Sequence, residues 1–176
     1  MEPLATPFTA TYRLQLHRGF TLDDASAAVP YLAALGISHV YLAPILTAAP
    51  GSMHGYGVLD HTAINPELGG RDALQRLAER CHAHGLGIIV DIVPNHMALV
   101  EGQWRNAPLW DVLRNGRDSA FAHWFDVDWD QLDGRFGLPI LGGPLADTLD
   151  DLRLDTGRPD EGPAAGQPVL RYYDAE

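Results

Sequence analysis

At 176 residues, 46% hydrophobic and 20% charged, the chain carries enough apolar content to bury a core, which excludes a disordered tail and suits one globular unit or a piece of a larger one. A formal net charge of −11 opposes binding to nucleic acid or to an anionic membrane through a basic surface, and leaves neutral or cationic ligands open. Met1-Glu-Pro-Leu4 has neither the basic nor the apolar region of a leader, and no stretch approaches the roughly 18 apolar residues of a membrane span, so no membrane association and a cytoplasmic location are expected. The single Cys81 rules out an internal disulfide and a cysteine-based metal cluster.

Residues 9–16 alternate, with Tyr12, Leu14 and Leu16 on one side and Arg13 and Gln15 on the other, which is the period of a first strand. Thr21-Leu-Asp-Asp24 has the spacing of a helix cap with acidic residues near the positive end of the dipole. A helix follows to Leu35 and is closed by Gly36; Pro30 removes one of its hydrogen bonds and predicts a kink or two pieces. Residues 38–45 form a second strand, bounded by Gly36 and Pro44. A long connection rich in Gly, Pro, Asn and His covers residues 46–70. Residues 71–84 resume a helical period, with Leu74, Leu77, Ala78 and Cys81 as the buried stripe and Gly85 placed to end the helix in the left-handed conformation. Cys81 is then a small core hydrophobe, and His82 and His84, two residues apart, share no face on which to hold a metal.

The third strand is Leu86-Gly-Ile-Ile-Val-Asp-Ile-Val-Pro-Asn-His96. Its aliphatic run leaves no polar face, the pattern of a strand covered on both sides in a parallel sheet. Asp91 interrupts that run and is costly to bury without a partner. Pro94 cannot continue the ladder, so pairing is expected to end near it, leaving Asn95 and His96 at the C-terminal mouth of the strand. Beyond residue 97 the rhythm is lost. Trp104, Trp110, Trp124 and Trp129 fall here with Gly142-Gly143 and the Pro/Gly-rich residues 156–168. Short helices are expected near 107–114 and 119–124, and short strands are possible over 139–145 and 169–173.

Strand, helix, strand, helix, strand with a glycine after each helix is the pattern of two successive right-handed crossovers, an α/β arrangement that builds either a doubly wound sheet or a β/α barrel. Three strands cannot close a barrel of eight. The chain is therefore a small open sheet or the front of a longer protein, and its last residues, which stop without a helix end or a polar tail, favour the second.

Two constellations could carry chemistry at the strand mouths, where α/β proteins build their sites. One is Asp91, Asn95 and His96; its plain structural alternative is a backbone cap, a turn residue and an exposed loop histidine. The other is Gly51-Ser-Met-His54-Gly-Tyr56-Gly-Val-Leu-Asp60, where a glycine between His54 and Tyr56 lets the backbone approach a ligand. The flat face of Tyr56 suits the C–H surface of a pyranose and the imidazole of His54 suits its hydroxyls, while an ordinary Gly-rich surface loop is the alternative. Phosphate-binding glycine motifs and a nucleophilic-serine elbow are missing from the positions that would give them meaning.

His54-Gly-Tyr56, Asn65-Pro-Glu-Leu-Gly-Gly70 and Asp91-Ile-Val-Pro-Asn-His96 together resemble the N-terminal part of the catalytic barrel of the α-amylase family, glycoside hydrolase family 13. Thr11-Tyr-Arg-Leu-Gln-Leu16, Tyr41-Leu-Ala-Pro-Ile-Leu-Thr-Ala-Ala-Pro-Gly-Ser52, Phe125-Asp-Val-Asp-Trp-Asp130, Leu138-Pro-Ile-Leu-Gly-Gly-Pro-Leu145 and Leu170-Arg-Tyr-Tyr-Asp174 resemble its trehalose-forming branch, so the likeness covers nearly the whole chain. The resemblance implies the N-terminal portion of a (β/α)8 TIM barrel over residues 1–96, with three strands and two helices, and an irregular insert over residues 97–176. It implies conversion of the reducing-end α-1,4 bond of a maltooligosaccharide into an α,α-1,1 bond by a retaining intramolecular transglucosylation, with an Asp nucleophile and a Glu acid and base. No cofactor is implied.

By the same resemblance, Tyr56 would stack on the reacting glucose, His54 and His96 would hydrogen-bond it, and Asp91 would orient neighbouring groups. Asp60 would fix the loop. Asn95 stands where some amylases place a calcium ligand, which the trehalose-forming branch does not need. Gly57 replaces the Asp usual in that branch, predicting a looser loop. The nucleophile, the acid/base and a third carboxylate belong to strands four, five and seven, so no catalytic residue is expected in this chain. Asp126, Asp128, Asp130, Asp147 and Asp150 read as solvated. The chain alone is expected to be inactive and to require the remainder of the barrel. A different α-glucan hydrolase or transferase of the family and a non-catalytic glucan-binding module are the alternatives.

Overall fold

Three parallel strands form the sheet that positions everything else: β1 (Thr11–Leu14), β2 (His39–Leu42) and a strand at Gly87–Val90, in the spatial order first, second, third. The computed structural model describes residues 7–99, 105–131, 133–135, 137, 141–155 and 169–172, the last group without the side chains of 169 and 170. These residues divide into two units, 1–98 and 99–176.

In the first unit, helix α1 (Leu22–Leu35) links β1 to β2, and its N-terminus is closed by the predicted capping box between Thr21 and Asp24. Gly36, left-handed at φ 86°, ends it. Pro30 breaks nothing: α1 is one helix, because the proline sits on the exposed side, where water can reach the carbonyl that its missing N–H leaves free. The residues predicted as a long connection contain a hairpin, β3 (Leu46–Ala48) paired antiparallel with β4 (Val58–Ile64). Its register shifts at two points, so no clean alternation marked it in the sequence. A turn at Pro66–Leu68 leads into α2 (Gly70–Ala83), whose buried residues are Ala73, Leu77 and Cys81 with Leu74 partly covered. Gly85 at φ 71° follows, and the Leu86 N–H reaches back to the Cys81 carbonyl at 2.9 Å, the glycine-dependent helix stop that was expected.

The third strand, now β5 (Gly87–Val90), is shorter than predicted. Its last ladder bond runs from the Asp91 N–H to the Leu42 carbonyl at 2.9 Å, so pairing ends three residues before Pro94. Ile92 is 63% exposed and Val90 36%, correcting the expectation of burial on both sides. The sheet order makes β5 an edge strand among the described residues, which explains that exposure.

The register sorts the sheet into two faces. Leu14, Val40 and Leu42 pack on Leu22, Ala25, Val29 and Leu32 of α1 and on Ala73, Leu77 and Cys81 of α2. Arg13 lies opposite Tyr41, and Tyr41 opposite Ile89, on the alternate positions and therefore on the other face. A bidentate pair between Arg76 and Asp23 (2.7 and 2.9 Å) ties the two helices together at the surface.

The second unit holds α3 (Ala107–Asn115), capped by the Asn106 side chain on the Leu109 N–H. A single turn at Gly116–Asp118 follows α3, and another at Ala122–Trp124 is all that stands where a short helix over 119–124 was expected. Residues 141–145 are not a strand: 141–143 bend and Leu145 opens α4 (Leu145–Thr148), while 139 and 140 lie outside the described residues, as do Trp104, 156–168 and Tyr173. The expected strand at the end exists as β7 (Val169–Tyr172), and its antiparallel partner is β6 (Leu152–Asp155), which was not foreseen. No helix among the described residues is long and apolar enough to cross a membrane.

Candidate functional site

Asp91 emerges one residue past β5, on the same face of the sheet as Ile89, Tyr41 and Arg13. Two phenols converge on it. The Tyr56 hydroxyl donates to its Oδ2 at 2.6 Å, and the nearby carboxylate disfavours loss of the Tyr41 proton, which raises the Tyr41 pKa. Arg13 of β1 completes the group: Nη2 donates to the Tyr56 hydroxyl at 3.3 Å, and the guanidinium lies 5.9 Å from the centre of the Tyr41 ring. The bond to Tyr56 is the main cause of a raised Arg13 pKa.

Tyr56 reaches Asp91 because of the loop that carries it. Gly55 adopts φ 76°, and a Cβ there would stand 2.5 Å from the Pro44 carbonyl oxygen, so only glycine lets the loop lie against the end of β2. The Tyr56 N–H donates to His54 Nδ1 at 3.0 Å, and the two rings stack with centroids 5.9 Å apart at 26°. On one side the loop is held by Glu67, whose carboxylate accepts from the Gly51 N–H at 3.0 and 3.1 Å. On the other side Gln15 Nε2 donates to the Met53 carbonyl at 2.9 Å. The Ala49 N–H closes the base of the loop on the Gly57 carbonyl at 3.1 Å, so the loop with glycine at 57 is tied at its base.

The predicted residues thus fall into three places. His54, Tyr56 and Asp91 form one exposed wall at the strand mouths. His96 and Asn95, also exposed, engage each other, with Nδ1 of the histidine 3.2 Å from the asparagine Oδ1. Asp60 lies in β4 and accepts from the Thr62 N–H and hydroxyl at 2.7 and 2.6 Å, which lowers its pKa. Asp130 faces Arg117 and the Asp126, Asp128 and Asp130 carboxylates line an open cleft of about 590 Å³ in the second unit with Val127 and Trp129. Among the described residues no three His, Cys, Asp or Glu side chains are grouped to hold a metal.

Sequence reasoning missed Arg13 and Tyr41. The signal was present in the alternation of β1, where Arg13 and Gln15 occupy the side opposite Leu14; that polar side is the face that bears the site rather than a solvated back. What the wall can do chemically is present aromatic faces, hydroxyls, a carboxylate and an imidazole to a neutral polyol.

The sequence matches the family described as alpha amylase, catalytic domain, over residues 21–130. A Mycobacterium tuberculosis protein provisionally named maltooligosyl trehalose synthase is 48% identical over 157 residues, covering 86% of this chain and 20% of that relative. The solved maltooligosyltrehalose synthase of Arthrobacter ramosus superposes with a TM-score of 0.79 at 42% identity, covering 96% of this chain and 20% of that one. A cyclomaltodextrinase of Geobacillus thermopakistaniensis is 39% identical over 97 residues, 55% of this chain and 15% of its own length. The chain therefore spans about a fifth of the length of the first two. Three parallel strands with helices between them, a hairpin loop bearing His54 and Tyr56, and a match reaching from α1 into the second unit establish that the chain belongs to the α-amylase family and carries an N-terminal portion of its β/α barrel.

Proposed function

We propose that the chain supplies one wall of the sugar site of an enzyme that turns the reducing-end α-1,4 bond of a maltooligosaccharide into an α,α-1,1 bond, a trehalose-forming transglucosylation. The observation that carries this is the strength of the likeness: the trehalose synthases are 42% to 48% identical over 86% to 96% of the chain and superpose with a TM-score of 0.79, whereas cyclomaltodextrinases fall to 39% over 55% or 32% over 81% and superpose at 0.52. In this reading Tyr56 stacks on the reacting glucose, His54 and His96 bond its hydroxyls, and Asp91 holds the ring of Tyr56 and orients the site. Asp60 serves the loop and Asn95 serves His96. The nucleophile and the acid/base come from later strands of the complete barrel, without cofactor or metal. Residues 1–96 belong to the barrel and 97–176 to an insertion after its third strand. The protein works in the cytoplasm, in trehalose formation.

The geometry is suited to holding a sugar rather than attacking it. Asp91 Oδ2 accepts the Tyr56 proton at 2.6 Å, which suits the carboxylate to fixing the aromatic ring that faces the sugar. The test is to incubate the full-length natural protein with maltopentaose and follow reducing ends. Expected is loss of reducing power with no change in chain length; a rise in reducing power means hydrolysis and overturns the proposal.

A further inference from the structure

We propose that Arg13 is a positioning residue for this sugar site: it latches the loop of residues 51–57 so that His54 and Tyr56 present one fixed face. The inference rests on the sugar-site reading above for its functional consequence, and on contacts alone for the latch itself.

The direction of each hydrogen bond is determined by chemistry. A guanidinium only donates, so Arg13 Nη2 gives its proton to the Tyr56 hydroxyl oxygen (3.3 Å). A carboxylate only accepts, so the single Tyr56 proton goes to Asp91 Oδ2 (2.6 Å). The chain Arg13 to Tyr56 to Asp91 has no alternative sense, and the phenol, held from two sides, cannot swing toward solvent. With the hydroxyl end anchored, the ring stays against His54, which stacks on it with centroids 5.9 Å apart at 26°.

The second nitrogen of the same guanidinium acts on the other end of the loop. Arg13 Nη1 donates to Gln15 Oε1 at 2.7 Å, which turns the Gln15 amide so that Nε2 faces the Met53 carbonyl at 2.9 Å. One planar fork thus touches Tyr56 directly and Met53 through Gln15, while its face lies toward Tyr41. A lysine, with one point charge, could hold one end and not both. Three contacts that need a planar, two-pronged cation explain why this strand carries arginine and glutamine two residues apart on the face that bears the site.

The experiment compares wild type, Arg13→Met, Arg13→Lys, Tyr56→Phe and the Arg13→Met/Tyr56→Phe pair in the full-length natural protein. Amide hydrogen exchange over residues 51–57 is read without substrate, and KM and kcat with maltopentaose. The expected result for Arg13→Met is faster exchange confined to that loop and a KM raised about tenfold with kcat within about threefold, the scale for losing a charge-assisted hydrogen bond that orients substrate. Arg13→Lys recovers only part. Adding Arg13→Met to Tyr56→Phe has a smaller effect than alone, since the shared bond is already gone. Unchanged loop exchange in Arg13→Met, or the same loss in both backgrounds, overturns the latch. If Arg13→Met does not accumulate, Gln15→Ala, which releases Met53 alone, must still quicken exchange at Met53 and its neighbours, and unchanged exchange there overturns the proposal. A wild type inert toward maltopentaose defeats the functional reading only, because the exchange comparison and its dependence on Tyr56 still decide the latch.

Discussion

Gly87→Ala offers a sharp test of how β2 and β5 are packed. A Cβ at Gly87 would lie 2.3 Å from Cδ2 and 2.4 Å from Nε2 of His39, its partner in the ladder. Ordinary carbon contacts are about 3.5–4.0 Å, so the imidazole would have to retreat by more than about 1 Å. It has little room to do so. His39 is 6% exposed, its ring lies 4.9 Å from that of Phe8, and its Nδ1 is 2.9 Å from the Ser38 hydroxyl. That hydroxyl in turn donates to the Ala10 carbonyl and accepts from the Thr9 and Ala10 N–H groups, holding the approach to β1. Overpacking of this kind costs about 1–3 kcal/mol and a broken hydrogen bond about 1 kcal/mol more, so Gly87→Ala is expected to destabilise by about 2–4 kcal/mol. Denaturant unfolding followed by far-ultraviolet circular dichroism measures it. The control is His39→Ala, which removes the obstructing ring. In that background Gly87→Ala should cost less than about 0.5 kcal/mol, because the atoms its Cβ would meet are gone. Equal costs in the two backgrounds would refute the packing argument.

Two further outcomes follow from titratable groups. Burial pushes the Cys81 thiol up to about 11, so it should resist a thiol reagent at pH 8 in the native protein and react at once in denaturant; rapid native labelling would contradict its place among Leu77, Val29 and the rest of the core. Asp24 and Asp60 have lowered pKa values, through the Thr21 cap and through the Thr62 N–H and hydroxyl. Their contribution to stability is fully present above the ordinary carboxylate value of about 3.9 and is lost as pH falls through the lower folded values. Thr21→Ala and Thr62→Val should therefore flatten the decline in stability below about pH 4, seen as a smaller loss of melting temperature between pH 5 and pH 3 than in wild type.

Local rules made much of the first unit legible from residues alone. The Thr21–Asp24 box, the glycines at 36 and 85, and the apolar period through Leu77 and Cys81 each act within one turn or one helix face, so α1 and α2 could be placed before any contact was known. The blocks around His54, Tyr56 and Asp91 were visible as well, because glycine, proline and a carboxylate at the end of an aliphatic run mark a strand mouth. What residues alone could not settle was anything that depends on a neighbour distant in sequence. The β3–β4 hairpin was missed because its irregular register erases alternation, and the end of β5 was misjudged because it depends on where β2 stops offering carbonyls.

The same limit applied to the site. Sequence determined that Asp91 and Tyr56 stand at successive strand mouths. Tertiary structure alone decided that Tyr56 bonds Asp91 across 35 positions and that Arg13 of β1 reaches Tyr56 across 43. The physical reason is that strand period is local, whereas the pairing of β1 with β2 and of β2 with β5, which brings Arg13, Tyr41 and Asp91 onto one face, is a property of the assembled sheet.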